Sequence, residues 1–232
     1  MIKKVISALM SVVLIFSLFS FAAYAKSETV ATVRDAAKKC MGEQLITISK
    51  ATLYTDNKSV GTVYAVFLKG SDLRWDENDV CGIQTCIKSG CAMDNLYLDA
   101  LIAAAQKSIP KDSKIVLIGH SLGGMIAQQF AADADMKAKY EIIHTMTMGS
   151  PYIITSEERE GGINRMADSG DPVPYLSNAL FLNFTAGNLT RVDNGYFGKP
   201  AQAHIISYRT SESWQKYDCF GIENGTNKLV LS

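Results

Sequence analysis

The chain has 232 residues, 47% of them hydrophobic and 20% charged, with 23 Lys and Arg set against 23 Asp and Glu. That mix supplies enough apolar mass for one full core, and the balanced charge gives no pull toward nucleic acid or an anionic surface. No basic run, internal repeat or Pro/Ser linker points to a nucleic-acid binder or an array of modules. At the N-terminus, Lys3 and Lys4 precede an almost wholly apolar stretch from Val5 to Tyr24, and Ala23-Tyr24-Ala25 places small residues where a signal peptidase cuts. Residues 1–25 are therefore expected to be a cleaved signal peptide, with a single domain over 26–232 that is secreted or periplasmic. An uncleaved membrane anchor is the rival reading of this stretch. Further along, Val30, Val33, Ala36 and Ala37 fall at helical spacing within Thr29–Cys40. Leu45–Ser49 reads as a strand, and so does the β-branched and aromatic run Gly61–Leu68. Met93–Ser108 carries Leu98, Leu101, Ile102 and Ala105 on one helical face, stopped by Pro110. Lys114–Ile118 is a short apolar run suited to a central strand covered on both faces. Leu122–Ala132 is a helix rich in small residues, and Tyr140–Met148 is a further strand closed by Gly149-Ser150-Pro151. Alternation of this kind predicts an α/β fold with a mostly parallel sheet and helices on both faces.

Export sets the reading of the cysteines. Cys40, Cys81, Cys86, Cys91 and Cys219 all follow the leader, and in an oxidising compartment they are expected to form disulfides with one thiol left over. A staple within Cys81, Cys86 and Cys91 and a Cys40–Cys219 tie are the expected pairings. Zinc is disfavoured because the five-residue spacing does not suit paired ligands and His is scarce. No metal or cofactor is implied.

The chemistry lies in Gly119-His120-Ser121-Leu122-Gly123-Gly124, where a predicted strand runs straight into a predicted helix. A G-x-S-x-G turn in that setting forces its serine into a strained conformation and lifts the hydroxyl clear of the backbone. Gly119 and Gly123 are needed because side chains there would collide across the turn. The helix N-terminus favours the negative charge that develops on attack, and the Leu122 N–H points toward that oxyanion. A structural serine in a Gly-rich turn is the competing interpretation.

A serine nucleophile needs a base, and the base needs an acid to orient it. On this kind of fold the order along the chain is Ser, acid, His. Of the three histidines, His120 adjoins the nucleophile and points away from its hydroxyl, and His144 sits inside a predicted core strand. Only His204 satisfies the order. The acid lies in the stretch after Tyr140–Met148, where Asp171 is followed by Pro172 and Pro174 and Asp168 is the alternative. A second oxyanion donor is expected after Gly61–Leu68, where Lys69-Gly70-Ser71 offers close approach at Gly70 and the Ser71 N–H and hydroxyl.

These residues resemble the class 3 lipase family, the fungal-lipase-like α/β hydrolases. Phe67-Leu68-Lys69-Gly70-Ser71 stands where that family has Phe-Arg-Gly-Thr/Ser, and residues 119–124 match its nucleophile turn. Met148-Gly149-Ser150-Pro151 is similar to its Gly-x-Pro turn, and Arg165 through Asp171-Pro172-Val173-Pro174 to its acid segment. The resemblance spans roughly residues 60 to 210. It implies an α/β-hydrolase fold and a secreted lipase or esterase with the triad Ser121, Asp171 and His204. It also implies an ester or lipid substrate, with transient contact to a lipid surface. The family places its lid at Asp72–Asp94, but here Leu73, Trp75, Val80, Ile83 and Ile87 are scattered among charges, which favours a soluble esterase or phospholipase as much as an interfacial lipase. Leu176–Phe184 is a candidate acyl-binding wall. The same triad would also serve an acyltransferase or peptidase. A non-catalytic hydrolase-like module would be expected to lack one of its members.

Overall fold

Thr32 opens the first helix with a reciprocal cap. Its hydroxyl accepts the Asp35 N–H at 3.2 Å, and the Asp35 carboxylate accepts the Thr32 N–H at 3.2 Å. This cap fixes α1 at Val33–Cys40, four residues later than the periodicity predicts. The computed structural model describes residues 27–72, 79–154, 158–176 and 188–232. The expected signal peptide and most of the candidate acyl wall therefore lie outside the described residues, as does the 73–78 portion of the lid segment. Among the described residues, no helix is long and apolar enough to cross a membrane.

Thr29 and Val30, read from sequence as the start of α1, instead belong to a short strand, β1 (Glu28–Val30). It pairs antiparallel with the C-terminal strand β8, Lys228–Leu231. β2 (Ile46–Thr55) and β3 (Lys58–Leu68) form a long antiparallel hairpin, so β2 extends well beyond the predicted Leu45–Ser49. The turn is Asp56-Asn57, both at positive φ (50° and 60°), the two-residue geometry whose twist matches the flanking strands. From β3 onward the sheet is parallel, through β4 (Lys114–His120), β5 (Glu141–Met148), β6 (Gly162–Asp168) and β7 (Leu189–Val192). The eight strands lie in the order β1-β8-β2-β3-β4-β5-β6-β7.

Helices cover both faces. Along β4, alternate residues face opposite ways. Val116 and Ile118 pack with α1, Phe67, Met146 and Trp214. Ile115 and Leu117 pack on the other face with Tyr97, Leu101, Ile126 and Phe130. That face is covered by α2 (Ile83–Gly90), α3 (Leu96–Ser108) and α4 (Leu122–Ala132), and the short α5 (Ala134–Lys139) follows α4. Asn95 caps α3 by accepting the Leu98 N–H at 3.0 Å, which starts that helix three residues after the predicted Met93. The expected disulfides are not formed, and all five cysteines are free. Cys40 and Cys219 lie in the same core but turn their thiols to different carbonyls, those of Ile118 and Asn227. Burial pushes the Cys40 thiol up to about 12, so it behaves as a small apolar side chain.

Candidate active site

β4 ends at His120 and α4 begins at Leu122, so Ser121 alone makes the turn between them. Its backbone sits at φ 53° and ψ −121°, a conformation costly for any residue with a Cβ. The Ser121 N–H is tied to the Met148 carbonyl of β5 at 2.9 Å, which helps hold the strain. Two glycines allow the approach. A Cβ on Gly119 would lie 2.3 Å from the Gly123 oxygen, and one on Gly123 would lie 2.4 Å from the Leu68 oxygen. The first is the predicted collision across the turn. The second is with the end of β3, so Gly123 sets helix-to-strand distance.

His204 comes from the helical run Pro200–Thr210, within its π-helical turn Ala203–Ser207. Its Nε2 is 2.9 Å from the Ser121 Oγ, and its Nδ1 is 2.9 Å from the Asp171 Oδ2. Those partners set the tautomer: Nδ1–H donates to the carboxylate, leaving the Nε2 lone pair for the serine hydroxyl. Asp171 is fully buried in the turn after β6. Its Oδ1 accepts the Val173 N–H at 3.0 Å, and Pro172 leads into a single 3₁₀ turn, Val173–Tyr175, that stiffens the segment.

Asp168, the alternative acid, faces elsewhere. Its carboxylate accepts hydrogen bonds from the Ser207 hydroxyl, Asn194 Nδ2 (2.9 Å) and Gly170 N–H (2.8 Å). It anchors the helical run that carries His204 and does not meet the imidazole. Tyr208 links the two acids. Its hydroxyl accepts the Asp168 N–H at 3.0 Å and donates to Asp171 Oδ2 at 2.8 Å. Burial, with the neighbouring Asp171 charge, raises the Tyr208 phenol well above its ordinary range, so it stays a donor. Tyr208 is a residue of the site that the sequence motifs do not single out. The available signal is its place four residues after His204, one helical turn on.

The other two histidines behave as their positions predict. The His120 ring lies 4.8 Å from that of His204 and donates Nε2–H to the His204 carbonyl at 2.9 Å, away from the serine hydroxyl. Burial, reinforced by His204, lowers it to about 3 and keeps it neutral. His144 stacks on Phe220 at 4.4 Å, and burial lowers its pKa as well.

The two expected oxyanion donors flank the serine. Leu122 is the first residue of α4, where helical bonding leaves the N–H groups open. Gly70 brings the end of β3 close, since a Cβ there would lie 3.1 Å from that of Ser121. Ser71 follows it and lines the same cleft as Ser121. Ser121, His204 and Ser71 open on a cleft of about 240 Å³ that Met41, Ile205, Lys69 and Arg209 also line.

Residues 83–171 match the model of a family described as the PGAP1-like alpha/beta domain. The fold is that of an α/β hydrolase. The matched span runs from α2 through Ser121 to Asp171 and stops short of His204. The resemblance drawn from the motifs thus holds at the level of the α/β hydrolase and not specifically of the class 3 lipases. Among solved structures the chain is similar to the nonglycosylated Yarrowia lipolytica lipase LIP2, with 15% identity, 72% of this chain and 83% of that chain covered, and a TM-score of 0.33. No curated protein matches the chain.

Proposed function

We propose that this α/β hydrolase is an exported carboxylic-ester hydrolase that works through an acyl-enzyme on Ser121. The observation that carries the reading is the unbroken chain from Ser121 Oγ through His204 to Asp171, at 2.9 Å for each link, beside an open cleft. The N-terminal leader supports export. Ser121 Oγ attacks the acyl carbon as His204 Nε2 takes its proton. Asp171 keeps the imidazole oriented and stabilises the cation that forms. The Leu122 and Ser71 N–H groups stabilise the oxyanion of the tetrahedral intermediate. As the bond to the alcohol breaks, His204 returns the proton to the leaving oxygen. Water, activated by the same imidazole, then attacks the acyl carbon and frees Ser121.

The test is a panel of p-nitrophenyl esters of rising chain length, run with wild type and Ser121→Ala. Wild type is expected to hydrolyse them, and Ser121→Ala to lose activity by about a million-fold, as for other triad nucleophiles. Near-wild-type turnover by Ser121→Ala would refute the assignment.

A further inference from the structure

The cleft beside Ser121 has an uneven charge. Its walls include the apolar side chains of Met41 and Ile205, together with Lys69 and Arg209, and among the described residues no Asp or Glu lines it. Among the described residues, neither cation forms an ion pair. The surface lysines that do are elsewhere, Lys39 with Glu28 and Lys114 with Glu141. Asp72, the acid nearest in sequence to Lys69, is held in another group: its polar atoms lie within 4.8 Å of those of Asp79 and Cys81. The Arg209 charge is close enough to act on the His120 ring, which itself packs against His204.

Position then says which part of a substrate these charges meet. His204 delivers the proton to the leaving oxygen, so the alcohol portion lies over His204. Ile205 and Arg209 belong to the same helical run and flank that side. Lys69 lines the cleft just past the end of β3, two residues before Ser71. Resting on the hydrolase reading above, we propose that Arg209 and Lys69 form an anion subsite selecting acyl esters whose alcohol portion carries a negative group, a phosphate or a carboxylate. Arg209 is exposed and Lys69 half-buried, so their attraction for such a group is partly screened by water and salt, and a neutral alcohol gains none of it.

The experiment compares short-chain monomeric esters of one acyl group on three alcohols: glycerol, glycerol phosphate and a hydroxycarboxylate. The readout is the ratio of kcat/KM for each anionic ester to that for the neutral one, so a general loss of activity cancels. Wild type is expected to favour an anionic ester by about tenfold, the phosphate and carboxylate arms identifying which anion is taken, and the preference should shrink as salt is raised. Arg209→Gln is expected to remove most of the preference and Lys69→Gln part of it. Equal turnover of all three esters, or a preference that survives the double variant, would overturn the subsite while leaving the hydrolase reading intact. Calorimetric binding of the same esters to Ser121→Ala separates the two readings. Tighter binding of the anionic ester, lost with Arg209→Gln, upholds the subsite even if the wild type cleaves none of them. Equal binding of the neutral and anionic esters counts against it.

Discussion

At the scale of single residues, the site is a set of side chains whose hydrogen-bond capacity is taken up in one direction. Asp171 spends Oδ1 on the Val173 N–H and Oδ2 on His204 and Tyr208, so the carboxylate cannot rotate away from the imidazole. Tyr208 is the added element in this arrangement. Tyr208→Phe deletes one donor to Asp171 and leaves the buried Asp168 N–H without its acceptor. The expected result is a fall in kcat of about tenfold with KM little changed, from a loss of roughly 1–2 kcal/mol of orientation. Steady-state kinetics on one soluble ester measure this split, and a change confined to KM would count against the role. Ser121 and His204 were legible in the sequence because the nucleophile turn is local and only one histidine follows it in the right order. The choice between Asp168 and Asp171 was not settled by spacing, since the two buried acids are three residues apart, at and just after the end of β6. What separates them is which carboxylate faces the ring, and that depends on how the Pro200–Thr210 run packs. Tyr208 carries no local signal beyond its distance from His204.

At the scale of elements, the elbow works because three backbone segments touch. Gly119 fits against the first turn of α4, and Gly123 fits against the end of β3. The obstacle to Gly123→Ala is a backbone carbonyl 2.4 Å away, which no rotamer change relieves. That variant is expected to lose about 1–3 kcal/mol or more of stability, read as a lower urea midpoint, and to lose most esterase activity as α4 shifts under Ser121. An unchanged midpoint would mean the contact yields more easily than the geometry implies. Arg165 performs a related task for the acid segment. Its buried guanidinium donates to the Ser150 and Pro174 carbonyls and lies 5.1 Å from the Tyr152 ring, tying the turn after β5 to the one that holds Asp171. Burial lowers its pKa to about 10, which leaves it charged at neutral pH. The central elements were readable because strands such as β4 are continuous apolar runs and α4 is marked by the glycine turn. β1 and β8 were not, being three and four residues long and paired across nearly the whole chain. Nothing local distinguishes such short strands from loop.

For the whole molecule, the sheet brings residues 71, 121, 171 and 204 to one end of the parallel strands, where ligands bind in open α/β sheets. The same packing buries two histidines in the neutral form, and this sets an acid limit on stability. His120 is lowered to about 3 and His144 in the same direction, whereas both take up protons near 6.5 once unfolded. Below about pH 6.5 the unfolded chain binds protons that the fold refuses, so stability falls as pH drops from there. Above that pH both states are neutral and the contribution is constant. Urea unfolding at pH 7, 6 and 5 is expected to show a loss of up to about 1.4 kcal/mol per pH unit for each histidine. His144→Gln should flatten that slope, and a slope unchanged in this variant would contradict the assignment. The account as a whole depends on a serine made nucleophilic by His204. Labelling with a fluorophosphonate probe at neutral pH, followed by peptide mass spectrometry, tests this directly. The prediction is a single adduct on Ser121 in the wild type, with its rate reduced at least a thousandfold in His204→Ala. An adduct elsewhere, no adduct at all, or labelling of Ser121 at an unchanged rate without His204 would contradict it.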